Sequence, residues 1–282
     1  MNLRIIPKID IKNQNLVKGV HLEGLRALGD PRSFVEIYYK QFADEIIYHD
    51  VVASLYQRNS TAELIQHTSQ NIFLPLLVGG GITNLKEIEK ILKSGADRVF
   101  FNTAALNNYN FLKDAVKNFG SSTIVLSIEV VKENSKYFCR KDFGRENTDF
   151  EFEDWLKKTE DTNVGEFLIT SIDRDGTGEG FDKSLAEIIS KSKISTPYIL
   201  NGGFAKLIHF SEVLSICKPS GFAISSMFHY NCLSETNDPY ENKDGNFDFK
   251  KKKSSFKNFE KNSIIDVKKY LKKEFDINFR NV

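Results

Sequence analysis

Val78-Gly79-Gly80-Gly81 is answered, about 120 residues later, by Leu200-Asn201-Gly202-Gly203. In each half an apolar run ends in a glycine turn. About 22 residues beyond the first turn stands Arg98-Val-Phe-Phe-Asn102-Thr103, which returns as Gly221-Phe-Ala-Ile-Ser225-Ser226. Upstream, Ile5-Ile-Pro-Lys-Ile-Asp10 returns as Ile124-Val-Leu-Ser-Ile-Glu129. A repeat this long exceeds a solenoid unit and suits a duplicated half-domain. Each half sets an acid, a glycine turn and a small hydroxyl or amide residue just after an apolar strand. That pattern predicts a two-fold site with one acid and one phosphate-sized cradle per half.

Strand-like runs lie at Arg4–Ile11, Glu45–Val51, Leu74–Val78, Arg98–Asn102, Ser122–Glu129, Glu166–Ser171, Tyr198–Asn201 and Gly221–Ser225. They are apolar nearly throughout, as strands buried on both faces are. Amphipathic helical patterns separate them, such as Asn84–Lys93 with its stripe Leu85, Ile88, Ile91 and Leu92. Pro31, Asn84 and Asp182 read as helix starts. Eight strands alternating with eight helical segments predict an α/β fold, a single (β/α)8 TIM barrel of two half-barrels spanning residues 1–282. A doubly wound open sheet is the alternative, and it leaves the duplication unexplained. Residues from Asn231 to about Phe259, rich in Asn, Asp, Lys and Ser, read as a polar surface insertion before a last helix from about Ser263 to Phe275.

A net charge of +1 argues for neither nucleic acid nor a membrane surface as partner. No run approaches the roughly 20 apolar residues of a membrane helix, and the N-terminal apolar run is too short for a signal peptide. Three scattered cysteines favour a reducing, cytosolic setting over a disulfide framework. The five histidines, His21, His49, His67, His209 and His229, are dispersed and form no metal-ligand spacing. With no dinucleotide glycine fingerprint either, cofactor-free and metal-free acid–base chemistry is expected.

In such a barrel the loops after the strands carry the active site. Asp10 and Glu129 end strands one and five, on opposite walls, where two carboxylates can serve as a general acid and base. Asp50, Asp173 and Asp175 add acids to the same rim. Gly80 and Gly81 in one half, and Gly202 and Gly203 in the other, let backbone N–H groups approach an anion. Asn102 and Thr103, and Ser225 and Ser226, offer donors beside them, with Gly176 and Thr177 on the same rim. A substrate with a phosphate at each end follows. At the other end, Arg4, Glu45, Arg98 and Glu166 begin strands. Each alone reads as a solvated charge; together they could pair inward as a ring closing the barrel floor, since buried charges need partners.

Arg4-Ile-Ile-Pro-Lys-Ile-Asp10, Val17-Lys-Gly, Gly29-Asp-Pro, Val78-Gly-Gly-Gly-Ile82, Phe101-Asn-Thr-Ala-Ala105 and Thr170-Ser-Ile-Asp-Arg-Asp-Gly-Thr177 resemble the histidine-biosynthesis barrel family, and within it the cyclase subunits of imidazole glycerol phosphate synthase. The resemblance covers about residues 3–230 and resumes at the last helix. It implies a lyase and cyclase reaction without cofactor. Ammonia joins a bisphosphorylated formimino-aminoimidazole carboxamide ribonucleotide, giving imidazole glycerol phosphate and an aminoimidazole carboxamide ribotide. The family's two catalytic acids fall on Asp10 and Glu129, and Lys18 falls among the substrate- and phosphate-binding residues. A glutaminase subunit docked on the barrel floor supplies the ammonia, past a gate matching Arg4, Glu45, Arg98 and Glu166.

Three departures stand out. Glu129 replaces the family's usual Asp, Lys8 replaces a small Cys close to Asp10, and the insertion after Tyr230 has no counterpart. If Lys8 points into the barrel it favours the charged form of Asp10. Two further readings stay open. Some relatives of this cyclase, paired with their own glutaminases, resemble enzymes that amidate sugars of surface polysaccharides, and a catalytically inactive barrel could serve only to activate the glutaminase.

Overall fold

In a computed structural model, residues 3–52, 61–233 and 258–279 are described. Eight parallel strands close on themselves: β1 (Arg4–Lys12), β4 (Ile46–Asp50), β5 (Leu76–Gly79), β6 (Arg98–Phe101), β7 (Ile124–Glu133), β10 (Glu166–Ser171), β11 (Tyr198–Asn201) and β12 (Gly221–Ile224). The last pairs with the first, Arg4 opposite Gly221 and Ile6 opposite Ala223. The fold is the expected α/β barrel, and β1 and β7 lie diametrically across it. The open-sheet alternative is excluded by the closing pair β12–β1.

Two antiparallel extensions depart from the simple alternation. Past the rim, β1 continues into β2 (Asn15–Val20) and β3 (Glu23–Gly29), and β7 into β8 (Lys136–Lys141) and β9 (Glu146–Glu151). Asn13 and Gln14 join β1 to β2 with φ of 49° and 68°, the left-handed pair a two-residue hairpin turn requires. Neither is the glycine that usually marks such a turn, so nothing local announced it.

Helices α1 (Pro31–Lys40), α2 (Thr61–Asn71), α3 (Leu85–Lys93), α4 (Thr103–Asn107), α5 (Tyr109–Phe119), α6 (Phe152–Glu160), α7 (Lys183–Ser192), α8 (Leu207–Leu214), α9 (Ser226–Cys232) and α10 (Ile264–Phe275) follow among the described residues. Several start where short polar side chains cap orphan amides. Asp30 accepts from Arg32 N just before Pro31, Asn84 from Glu87 N, and Asp182 from Ser184 and Leu185 N. Ser263 and Asp266 form a reciprocal capping box at the head of α10. Residues 234–257 of the polar insertion lie outside the described residues. No helix among the described residues is long and apolar enough to cross a membrane.

Side chains fill the barrel in layers. Ile6, Ile47, Leu77, Phe100, Val125, Leu168, Ile199 and Ala223, one from each strand, form a buried apolar plate across the middle. The alternation of period two then puts Lys8 and Asp10, His49 and Ser127 and Glu129 on the inward face above it.

Helix α10 is tied to the floor by a buried ion pair. Lys268 Nζ donates to Asp44 Oδ1 and to the Phe42 carbonyl, both at 2.6 Å, while Asp44 Oδ2 accepts from Ile5 N. Lys268 is fully buried and Asp44 is not. Asp44→Ala should therefore destabilise by about 3 kcal/mol, because it strands a buried ammonium. Lys268→Met should lower stability by clearly less, since Asp44 keeps water and Ile5 N. Equal losses in urea titrations would refute this asymmetry.

Candidate active site

At the upper rim, strand register sets the chemistry. Asp10 on β1 is fully buried and has cations on both oxygens. Lys8, two residues earlier on the same face, forms an ion pair with Oδ1, and Lys18 Nζ on β2 lies 3.7 Å from Oδ2. Lys18 in turn donates to Asp175 Oδ2 at 2.6 Å. Burial pushes the Asp10 carboxyl up, but Lys8, the neighbouring His49 imidazole and Lys18 together outweigh it and hold the group well below the usual carboxylate range.

Glu129, across the barrel on β7, is the opposite case. It too is buried, and burial pushes its carboxyl up to about 7 against the weaker pull of Lys8 and of a hydrogen bond from Asn102. Asn102 Nδ2 donates to Glu129 Oε2 at 3.2 Å and to the Arg140 carbonyl at 2.8 Å, tying β6, β7 and β8 together. One acid thus stays ionised at neutral pH while the other is poised to carry a proton. A pair whose proton affinities are driven apart gives the two carboxyls different tasks, one a fixed charge and the other a proton carrier.

The glycine turns sit beside these acids. Gly80 and Gly81 have φ of 110° and 65°, and Gly202 and Gly203 have φ of 113° and 86°. A Cβ on Gly80 would stand 2.1 Å from the Asp50 carbonyl oxygen, and one on Gly203 as close to that of Gly180. Both turns are therefore closed to any side chain. Gly80→Ala should weaken binding of a bisphosphate substrate roughly ten- to hundredfold, the equivalent of about 1–3 kcal/mol of backbone strain. Unchanged affinity in calorimetric titration would remove the first turn from the site.

The two cradles open into separate spaces. A cavity of about 360 Å³ is lined by His49, Asp50, Gly80, Gly81, Asn102, Thr103 and Glu129. A much smaller cleft is lined by Asp175, Gly176, Asn201, Gly202, Gly203, Ser225 and Ser226. Asp10 lines neither, held beneath its lysines. Some expected donors are already engaged. Ser225 Oγ donates to the Lys8 carbonyl at 2.9 Å, Thr103 Oγ1 accepts from Asp142 N, and Asp50 Oδ1 from Val52 N. Thr177 Oγ1 donates to the Arg174 carbonyl. Lys18 and Asp175 are brought together directly, which their distance in sequence does not suggest.

On the floor, the four charged strand starts do form a ring. Arg4 reaches Glu45 at 2.5 Å and also pairs with Glu166, while Arg98 reaches Glu166 at 2.8 Å and Glu45 at 3.4 Å. The glutamates are buried and the arginines partly exposed. Alternating signs pair every charge within the ring, and Ser220 Oγ adds a hydrogen bond to Glu166, which makes desolvation of the glutamates tolerable.

Of the groups at the centre, Lys8 stands out in the chain and His49 does not. His49 was grouped with dispersed histidines, although period two along β4 places it inward like Glu45 and Ile47. Lys8 was noted as a departure, and its orientation was settled only by the strand.

Residues 4–234 match the model of a family described as histidine biosynthesis protein. The chain is 46% identical over 211 residues to the imidazole glycerol phosphate synthase subunit HisF of Legionella pneumophila, covering 74% of this chain and 99% of that protein. It is 38% identical over 232 residues to the subunit of the same name from Hydrogenobaculum sp., covering 82% and 92%. The corresponding Lactococcus lactis subsp. cremoris protein is 37% identical over 229 residues, covering 80% and 88%.

Proposed function

From the premise that the chain belongs to the histidine biosynthesis protein family, we propose that it is the cyclase subunit of an imidazole glycerol phosphate synthase. It is an enzyme of that pathway, acting in the cytosol as a lyase on a bisphosphorylated formimino-aminoimidazole carboxamide ribonucleotide. The observation that carries the reading is the pair Asp10 and Glu129. They face each other from opposite strands, one held ionised and one holding a proton near neutrality, with a glycine cradle in each half. The cradles take the terminal phosphates, helped by the amides around Gly176.

Ammonia is the second substrate, supplied by a glutaminase subunit on the floor. Two features support that face. The Arg–Glu ring closes the floor end of the barrel, where ammonia would pass, and the loops leading into β4 and β5 present Phe42 and Phe73, 42% and 81% exposed. Aromatic side chains left that open are the usual anchors of a protein interface. Purified protein with ammonium chloride and the bisphosphate ribonucleotide should turn over alone, and glutamine should substitute for ammonium only when the glutaminase is added. Absence of ammonium-dependent turnover removes the histidine-pathway assignment.

One observation favours a second acceptor. The Lys8–Asp10 ion pair puts a cation where the family has a small residue, and Glu129 extends the opposing acid by a methylene. Both alter the space between the two acids, as a change of substrate to a sugar of a surface polysaccharide would require. Failure to rescue a histidine auxotroph, together with ammonia incorporation into such a sugar nucleotide, would select it. Glutaminase activation with neither reaction would leave the inactive-scaffold reading.

A further inference from the structure

Among the described residues, His49 is the buried imidazole that lines the cavity with Glu129, and no role above uses it. It is the direct register partner of Asp10 on the neighbouring strand. Its ring is clamped edge-on between Phe100 and Phe143, at 5.1 and 5.2 Å with interplanar angles of 70° and 71°. Two such contacts fix the plane of the ring. Nδ1 is sealed from solvent, has no hydrogen-bond partner among the described residues, and points to Asp10 Oδ1 at 3.6 Å. That is longer than a hydrogen bond, as catalytic contacts often are before substrate binds. A buried, unpartnered ring nitrogen facing a carboxylate is costly unless the pair closes.

We propose that Asp10 and His49 form a carboxylate–imidazole dyad in which His49 Nε2 is the base that takes the proton from attacking ammonia. This rests on the reading of ammonia as the nucleophile. Asp10 itself is poorly suited to that task, because Lys8 and Lys18 stabilise its charge. Its role is to orient the imidazole through Nδ1–H and to stabilise the imidazolium that forms. The charged groups that act on His49 are Asp10, Lys8 and Lys18, and Glu129 lines the same cavity. Burial lowers the affinity of the ring for a proton, and Lys8 and Lys18 lower it further against the pull of Asp10, so the ring is neutral at pH 7.

The step balances as follows. The ammonia lone pair forms a C–N bond to an electrophilic C=X carbon, X being oxygen or nitrogen. The π pair moves to X, which takes the proton of Glu129. The new nitrogen, carrying a positive charge, releases one proton to His49 Nε2. Glu129 is left as carboxylate and recovers the proton from the imidazolium before the next cycle.

Two measurements test the dyad. Nitrogen NMR of protein with labelled histidine, assigned by the signal lost in His49→Gln, should show a neutral Nδ1–H tautomer titrating below the ordinary value of 6.5. A neutral Nε2–H tautomer, with a bare Nδ1 facing Asp10, overturns the proposal. With ammonium chloride and the bisphosphate ribonucleotide, the wild type should give a bell-shaped rate profile, rising as His49 deprotonates and falling above about 7 as Glu129 ionises. His49→Gln should lower kcat on the order of 10²–10⁴-fold with KM little changed, and should lose the acidic limb. Added imidazole should restore part of the activity of His49→Ala. An intact acidic limb in His49→Gln also overturns the proposal. If the wild type does not turn over, the ammonia reading falls and the tautomer alone decides the dyad.

Discussion

Replacing Asp10 with Asn lowers ammonia-dependent turnover by on the order of 10⁴-fold, the scale seen when the carboxylate behind a catalytic imidazole becomes an amide. The amide neither stabilises an imidazolium nor fixes its tautomer. The same change removes the anion that Lys8 pairs with in the barrel interior, while Lys18 retains Asp175. An ammonium stranded in a dry core costs about 3 kcal/mol. Adding Lys8→Met to Asp10→Asn should recover most of that stability and none of the turnover. Recovery of turnover in the double variant would show that Asp10 only neutralises Lys8. The sign with pH is fixed by the same contacts. The folded carboxyl is held below its ordinary value of 3.8, so its stabilising contribution is present above that pH and is lost as the solution is acidified through and below it.

Replacing Glu129 with Gln is expected to lower kcat by roughly 10²–10⁴-fold and to stabilise the protein. Burial raises the folded carboxyl to about 7 from the ordinary 4.5. Between those values the folded chain binds more protons than the unfolded one, so stability falls as pH rises through the window. Above it the buried carboxylate destabilises the fold by about 3 kcal/mol. Gln carries no such charge. Its advantage over the wild type should be near zero at pH 4, grow through neutrality and level off by pH 8, as read from denaturant midpoints. The basic limb of the rate profile should vanish with it. A constant stability difference across this range would show that Glu129 is not desolvated, and a retained basic limb would assign that limb to another group.

Much of the site was legible in the chain because parallel barrel strands impose a strict grammar. Continuous apolar runs marked the eight strands to within a few residues, and the acids at the ends of β1 and β7 followed. The ring of Arg4, Glu45, Arg98 and Glu166 was legible for the same reason, since inward charges at strand starts must pair. The hairpins β2–β3 and β8–β9 were not, because their residues mix polar and apolar character and Asn13-Gln14 carries no glycine. Ser225 and Thr103, expected as free donors, bond to backbone groups whose positions depend on strands and loops far along the chain.

By itself, then, the sequence determined the barrel, its two acids, its glycine turns and its charged floor. Each is written in local period, in residue type at a strand end, or in a glycine no other residue can replace. Only the tertiary structure decided how tightly those acids hold their protons. Lys8 lies on the face of Asp10, Lys18 folds back from β2, and His49 comes level with Asp10 through the β1–β4 register. Proton affinity depends on burial and on charges within a few ångströms, and strand pairing brings those together across any distance in sequence. Asp10 and Glu129 lie on opposite walls of one barrel, yet the surroundings hold one as an anion and let the other keep its proton.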